Sequence, residues 1–167
     1  KYLASKGVVS RRGDGKFYPN DVMTREEFVK LIVMAFDAYD AGAENTFADV
    51  AADRWSAQYI ASAARLGLVT GNEIGEFNPD GSITREDMAV IMYRVYGISG
   101  LNSQAAALDF TDADNISGYA QEAVGVLLGA QIINGMGDGT FAPKSAVTRA
   151  QASKVVYELL MLIGGEN

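Results

Sequence analysis

Three arginines occupy positions where a helix least favours a cation. Arg25, Arg85 and Arg149 each follow a threonine, Thr24, Thr84 and Thr148, that reads as a helix N-cap. Each arginine is therefore expected at the first helical position. That end of a helix carries a partial positive charge, so carboxylates belong there and cations are mildly unfavourable. A guanidinium set beside free backbone N–H groups makes a site for an anion. The same arginine could instead pair with a carboxylate of a neighbouring segment. The residue types leave both chemistries open.

The arginines recur because the motif around them recurs. Phe-x-Pro-x4-Thr-Arg appears from Phe17 to Arg25, from Phe77 to Arg85 and from Phe141 to Arg149, and it uses all three prolines of the chain. The copies lie 60 and 64 residues apart, a period that signals a repeat architecture. Thr24 with Glu27, Thr84 with Asp87 and Thr148 with Gln151 have the spacing of a capping box, aspartate being the weaker third-position partner. Met23 with Phe28, Ile83 with Met88 and Val147 with Ala152 have the spacing of hydrophobic staples, weakest at Ala152. Each copy thus predicts a proline-stiffened turn feeding a firmly started helix.

Ahead of each phenylalanine stands a glycine-rich turn: Gly13-Asp14-Gly15, Glu73-Ile74-Gly75 and Gly137-Asp138-Gly139. An isolated Gly-x-Gly is a weak phosphate signal, and no P-loop lysine follows. Tight turns are expected here, with N–H groups of Asp14, Gly15, Gly75, Asp138 and Gly139 in a position to face a ligand as well.

Three apolar helices must carry these sites. Phe28, Leu31, Ile32, Ala35, Phe36 and Tyr39 make a 3.6-residue stripe, widened by Val29, Val33 and Met34. Met88, Ile91, Met92, Val95 and Tyr96 repeat it, as do Val155, Val156, Leu159, Leu160 and Ile163. A helix apolar nearly all round is buried, so the three are expected to form a central bundle. Polar or small linkers at 40–46 and 97–107 lead into Phe47-Ala48-Asp49 and Phe110-Thr111-Asp112. Alanine-rich amphipathic helices holding Trp55, Tyr59 and Ile60, and Tyr119, Ala123 and Val124, are expected outside the bundle. Residues 1–9 match the end of such a helix, so the first unit is read as lacking roughly fourteen residues at its start. The fold class is all-α, one domain over 1–167 made of three helix-loop-helix repeats: a partial one at 1–40, then 47–97 and 110–164.

Composition narrows the chemistry. The chain has no cysteine and no histidine, which removes thiol chemistry, the Ser-His-Asp arrangement and the usual zinc ligands. A net charge of −7 argues against nucleic acid. No apolar run is long enough to cross a membrane, and no signal peptide is present. Glu76, Asn78, Asp80, Gly81, Ile83 and Asp87 imitate a calcium loop. The matching positions in the other copies include Lys16, Ala142 and Lys144, which speaks against calcium. No metal, cofactor or carboxylate pair for glycoside hydrolysis is marked, and the chain is read as a non-enzyme.

Taken together, Phe-x-Asp, an aromatic after it, Leu-Gly-Leu-Val-Thr-Gly, Gly-Asp-Gly-x-Phe-x-Pro and the Thr-Arg helix starts closely resemble the surface-layer homology (SLH) family, over essentially the whole chain. The resemblance implies a pseudo-threefold, three-pronged spindle around a central three-helix bundle, with grooves between repeats. It implies a module tethering a larger surface protein to the bacterial cell wall by holding a secondary cell-wall polysaccharide, typically one with pyruvylated N-acetylmannosamine. The arginine of the family's Thr-Arg-Ala-Glu motif maps onto Arg25, Arg85 and Arg149, which suits a ketal carboxylate. Trp55 and Tyr119 are candidate sugar-facing walls or core residues. The alternative function is structural, with the arginines in inter-repeat ion pairs. Gln131 departs from the pattern where a helix-stopping glycine is expected, and Glu73 brings a carboxylate near one proposed anion site.

Overall fold

The computed structural model describes residues 14–164; the helix end expected at residues 1–9 lies outside them. The described chain is all-α. Its helices are α1 (Arg25–Ala35), α2 (Ala57–Arg65), α3 (Arg85–Ile98), α4 (Gly118–Gly129) and α5 (Arg149–Gly164), with a short 3₁₀ turn at Ala113–Asn115.

The three Thr-Arg starts fold as their spacing predicts. Glu27 N–H donates to Thr24 Oγ1 at 3.3 Å and Thr24 N–H donates back to Glu27 at 3.1 Å. Thr148 and Gln151 repeat both halves, at 3.0 and 3.3 Å. At Thr84 only the forward half forms, 3.2 Å from Asp87 N–H. Aspartate is one methylene shorter, and its carboxylate is engaged elsewhere.

Met23, Ile83 and Val147, just ahead of the caps, are buried and join the repeats to one another. Met23 N–H donates to Val147 O (2.9 Å), Val147 N–H to Ile83 O (2.9 Å), and Ile83 N–H to Met23 O (3.0 Å). These bonds close a cycle through all three repeats. The next residues extend it. The N–H groups of Arg25, Arg85 and Arg149 donate to the carbonyls of Gly81, Ser145 and Asp21, and the residues after them donate to Pro79, Pro143 and Pro19. Two of the free donors at each helix start are thereby satisfied by the proline turn of another repeat.

Two of the phenylalanine turns are fixed from within their own repeats. Asp49 accepts the N–H groups of Phe77 (2.8 Å) and Asn78 (2.6 Å) on its two oxygens, and Asp112 does the same for Phe141 and Ala142, both at 2.8 Å. Burial works to raise the Asp49 pKa, but these two amides outweigh it and hold the carboxyl below its usual range. At Asn78 and Ala142 the clamp stabilises an unfavourable backbone. Tyr18, Asn78 and Ala142 all have left-handed φ, at 52°, 59° and 56°, in a region that costs a side-chain-bearing residue about 1–2 kcal/mol.

Helices α1, α3 and α5 supply the centre of the core, where Phe28, Ile32, Met88, Met92 and Leu159 are essentially fully buried. α5 touches both α1 and α3, α2 packs on α1, and α4 packs on α3. The opening helix of each later repeat therefore leans on the closing helix of the repeat before it.

Several expectations change in detail. α1 stops at Ala35, because Asp37 turns left-handed (φ 51°) and Ala38 N–H reaches back to Val33 O. Tyr39 is half exposed and tilts against Tyr59, ring centroids 5.3 Å apart; it is not part of the buried stripe. Met34 and Ile163 are likewise exposed. Trp55 precedes α2 rather than riding on it, and α3 runs through Gly97. Gln131 takes φ 60°, the role Gly67 fills at φ 69° after α2, so the helix-stopping turn survives without glycine.

Candidate functional site

Each motif arginine reaches across a repeat boundary. Arg25 Nε donates to Phe77 O (2.9 Å), Arg85 Nε to Phe141 O (2.7 Å) and Arg149 Nε to Phe17 O (3.0 Å). The guanidinium carbon of each lies over the ring of that same phenylalanine, 4.9, 4.8 and 5.1 Å from the centroid. In two repeats a second ring backs the first: Phe47 lies 5.4 Å from Phe77 and Phe110 5.5 Å from Phe141. Stacking on the ring face and donating to the carbonyl explain how a cation is accommodated at a helix start.

The three are not equivalent beyond that. Arg85 is buried and adds a bond from Nη2 to Asn134 O (2.9 Å). Burial pulls its pKa down, with Asp112 opposing. Arg149 is also buried. Arg25 is more open, and its Nη1 pairs with Asp87 at 3.2 Å.

Arg25 lies on the wall of a cleft of about 680 Å³ where three repeats meet. Repeat two supplies most of the lining: the segment from Val69 to Glu73, then Glu76 to Asn78, and the outer side of α3 at Asp87, Val90, Ile91 and Arg94. Tyr119 of repeat three closes one side. Its hydroxyl lies 3.0 Å from Glu86 and 2.9 Å from Asp87. Burial, then Asp87 and Glu86, push the phenol pKa up, so it remains a neutral donor. Gly71 lets the lining segment close up, since a Cβ there would stand 3.1 Å from both the Glu76 carbonyl and the Phe47 ring.

Of the residues singled out from sequence, Arg25, Thr84 and Tyr119 meet in this cleft. Thr24 and Thr148 cap their own helices. Trp55 is 52% exposed and lies outside this cleft, with the Lys30 ammonium 5.8 Å from its ring. The glycine turns hold their own loops. Asp14 accepts from Lys16 N–H, Asp138 from Thr140 N–H and hydroxyl, and Gly15, Gly75 and Gly139 take φ of 78°, 78° and 87°. None of these five lines the Arg25 cleft.

Sequence reading missed four contributors. Gly71 was visible only as the end of Leu-Gly-Leu-Val-Thr-Gly. Arg94 follows Arg85 by two and a half turns, and no local pattern marks it. Glu26 and Glu86, buried beside the motif arginines, lock the repeats further. Arg54 forks onto Glu26 at 2.7 and 3.0 Å, while Glu86 accepts from Ser117 N–H and hydroxyl, Tyr119 and Lys144. Burial favours the protonated form of Glu86, but those donors prevail and keep its pKa below the ordinary value.

A family model described as S-layer homology domain matches residues 1–29, 46–89 and 109–153. An amylopullulanase of Thermoanaerobacterium thermosulfurigenes is 33% identical over 160 residues, covering 95% of this chain and 8% of its own length. Exoglucanase XynX of Acetivibrio thermocellus is also 33% identical over 160 residues, with 15% of its length covered. S-layer protein sap of Bacillus anthracis is 29% identical over 166 residues, covering 99% of this chain and 20% of its own length. The chain thus spans a fifth or less of each of these relatives.

Proposed function

The chain belongs to the S-layer homology domain family, a cell-surface anchoring module, and from that premise we propose that its inter-repeat clefts hold a carboxylate-bearing sugar of a secondary cell-wall polysaccharide, one with pyruvylated N-acetylmannosamine. The role of this chain is attachment, without catalysis of its own, as one segment of a larger surface protein. The glycan-degrading names of two relatives belong to proteins of which the matching part is a small share.

The observation that carries this reading is the cleft itself. It is open, large enough for a sugar ring, and lined by two guanidinium groups, a neutral phenol donor and a loop of polar residues. Cations and hydroxyl donors around a concave wall suit an acidic carbohydrate. Recurrence of the Thr-Arg start in three repeats gives the module several points of attachment, and linked weak sites raise avidity. Co-sedimentation with purified cell walls, before and after mild acid removal of ketal-linked pyruvate, tests it. Retention on intact walls and release from depleted walls are expected; equal retention on both would end the proposal.

A specific observation also favours the structural reading. The Nε of every motif arginine is committed to another repeat's phenylalanine carbonyl. These arginines therefore knit the repeats whether or not they also meet a ligand, and a melt of each Arg→Ala variant separates loss of folding from loss of binding.

A further inference from the structure

Arg25 enters the cleft already largely neutralised. Asp87 stands 3.2 Å from its Nη1, and Nε is committed to Phe77 O. Arg94, on the α3 wall of the same cleft, is in a different state. Its Nη1 donates to Leu68 O at 3.0 Å, and among the described residues neither Nε nor Nη2 has a hydrogen-bond partner and no carboxylate pairs with it. A backbone carbonyl orients the guanidinium without cancelling its charge. One edge of the fork is held and the rest is left for a ligand.

We propose that Arg94 adds a second charge, beside the motif arginine, that recognises the ligand's carboxylate in this cleft. The inference rests on the acidic-sugar reading above and adds one residue to it. It also makes the cleft individual. At the same offset from the motif arginine, α1 carries Met34 and α5 carries Glu158. The same sequence position thus holds an apolar, a cationic and an anionic side chain in the three repeats. The other charged groups of the cleft agree with the assignment. Asp87 is occupied by Arg25 and Tyr119, while Glu73 and Glu76 stand on the loop. A ligand carboxylate is therefore drawn to the α3 wall and repelled from the loop.

The test uses the ¹⁵N-labelled chain and two probes: a methyl glycoside of 4,6-pyruvylated N-acetylmannosamine, and its neutral pyruvate methyl ester. Amide shifts of Gly71, Asn72 and Glu73 report this cleft separately from the others, and the same spectra show whether each variant is folded. In the wild-type chain the acid is expected to bind more tightly than the ester. Arg94→Gln should weaken the acid about tenfold at these amides, the value of one charge-assisted hydrogen bond, and leave the ester unchanged. Arg94→Lys should recover most of the difference. A purely structural role for Arg94 would weaken both probes alike and overturns the assignment. So does an Arg94→Gln variant that still prefers the acid as strongly as the wild type, although the acidic-sugar reading then stands. If the wild-type chain fails to distinguish acid from ester, both fall together.

Discussion

Arg85 and Phe141 are joined twice over. Nε donates to the phenylalanine carbonyl at 2.7 Å while the guanidinium carbon lies 4.8 Å above the ring of the same residue. One side chain of repeat two thus grips both the backbone and the side chain of repeat three. The same relationship links Arg25 to Phe77 and Arg149 to Phe17, so the cycle of repeats is closed by side chains as well as by main chain.

Arg85 is buried and has a second backbone partner at Asn134, so its removal should be felt first as lost stability. Arg85→Ala strands the buried Phe141 carbonyl, breaks the bond to Asn134 O and opens a cavity, and is expected to cost about 3 kcal/mol. Urea unfolding followed by circular dichroism measures it. A midpoint equal to that of the wild type would show that the clamp contributes nothing.

Ala142 adopts φ 56° under the clamp of Asp112. Glycine reaches that conformation without a Cβ penalty, at some cost in chain entropy. Ala142→Gly is accordingly expected to stabilise the chain by about 0.5–1 kcal/mol, an unusual gain for a change to glycine. A lower thermal midpoint for the variant would contradict the strain.

Glu86 is held below the ordinary carboxylate value of 4.5. A depressed folded-state pKa means that the unfolded chain takes up its proton first as the pH falls. The stabilisation is therefore complete above about 4.5 and is lost as pH drops through the lower folded value. Glu86→Gln should start less stable at neutral pH and show a shallower loss on acidification. Asp49 and Asp138, depressed in the same direction, keep part of the slope. Parallel pH–stability curves for variant and wild type would remove Glu86 from the account.

Asp87 competes with any anionic ligand for Arg25. Asp87→Asn keeps the side-chain shape and releases that guanidinium, so the pyruvylated sugar should bind about threefold more tightly, within the range of one nearby like charge on a partly exposed site. Calorimetry decides it. Unchanged or weaker binding would place the ligand away from Arg25.

Local chemistry made much of this legible in advance. Capping boxes, the proline turns and the apolar stripes act over a few residues, so Thr24, Thr84 and Thr148 announced their helix starts from sequence. The limits were local as well. Tyr39 was drawn into a stripe that ends before it, because nothing in the 3.6-residue pattern anticipates Asp37 turning left-handed. Trp55 and Tyr119 are both candidates for a sugar-facing wall in the sequence, yet only Tyr119 lines the Arg25 cleft.

By itself, then, the sequence determined the repeats, the helix starts and the presence of a cation where helix electrostatics disfavour one. Only the tertiary structure decided what those cations do. The bonds that engage them span 52, 56 and 132 residues, and the last of them depends on the third repeat returning to the first. Spacing along a chain records which residues share a helix face. It does not record which carbonyl of another repeat will stand opposite, nor that Asp87 would neutralise Arg25 while Arg94 kept its charge.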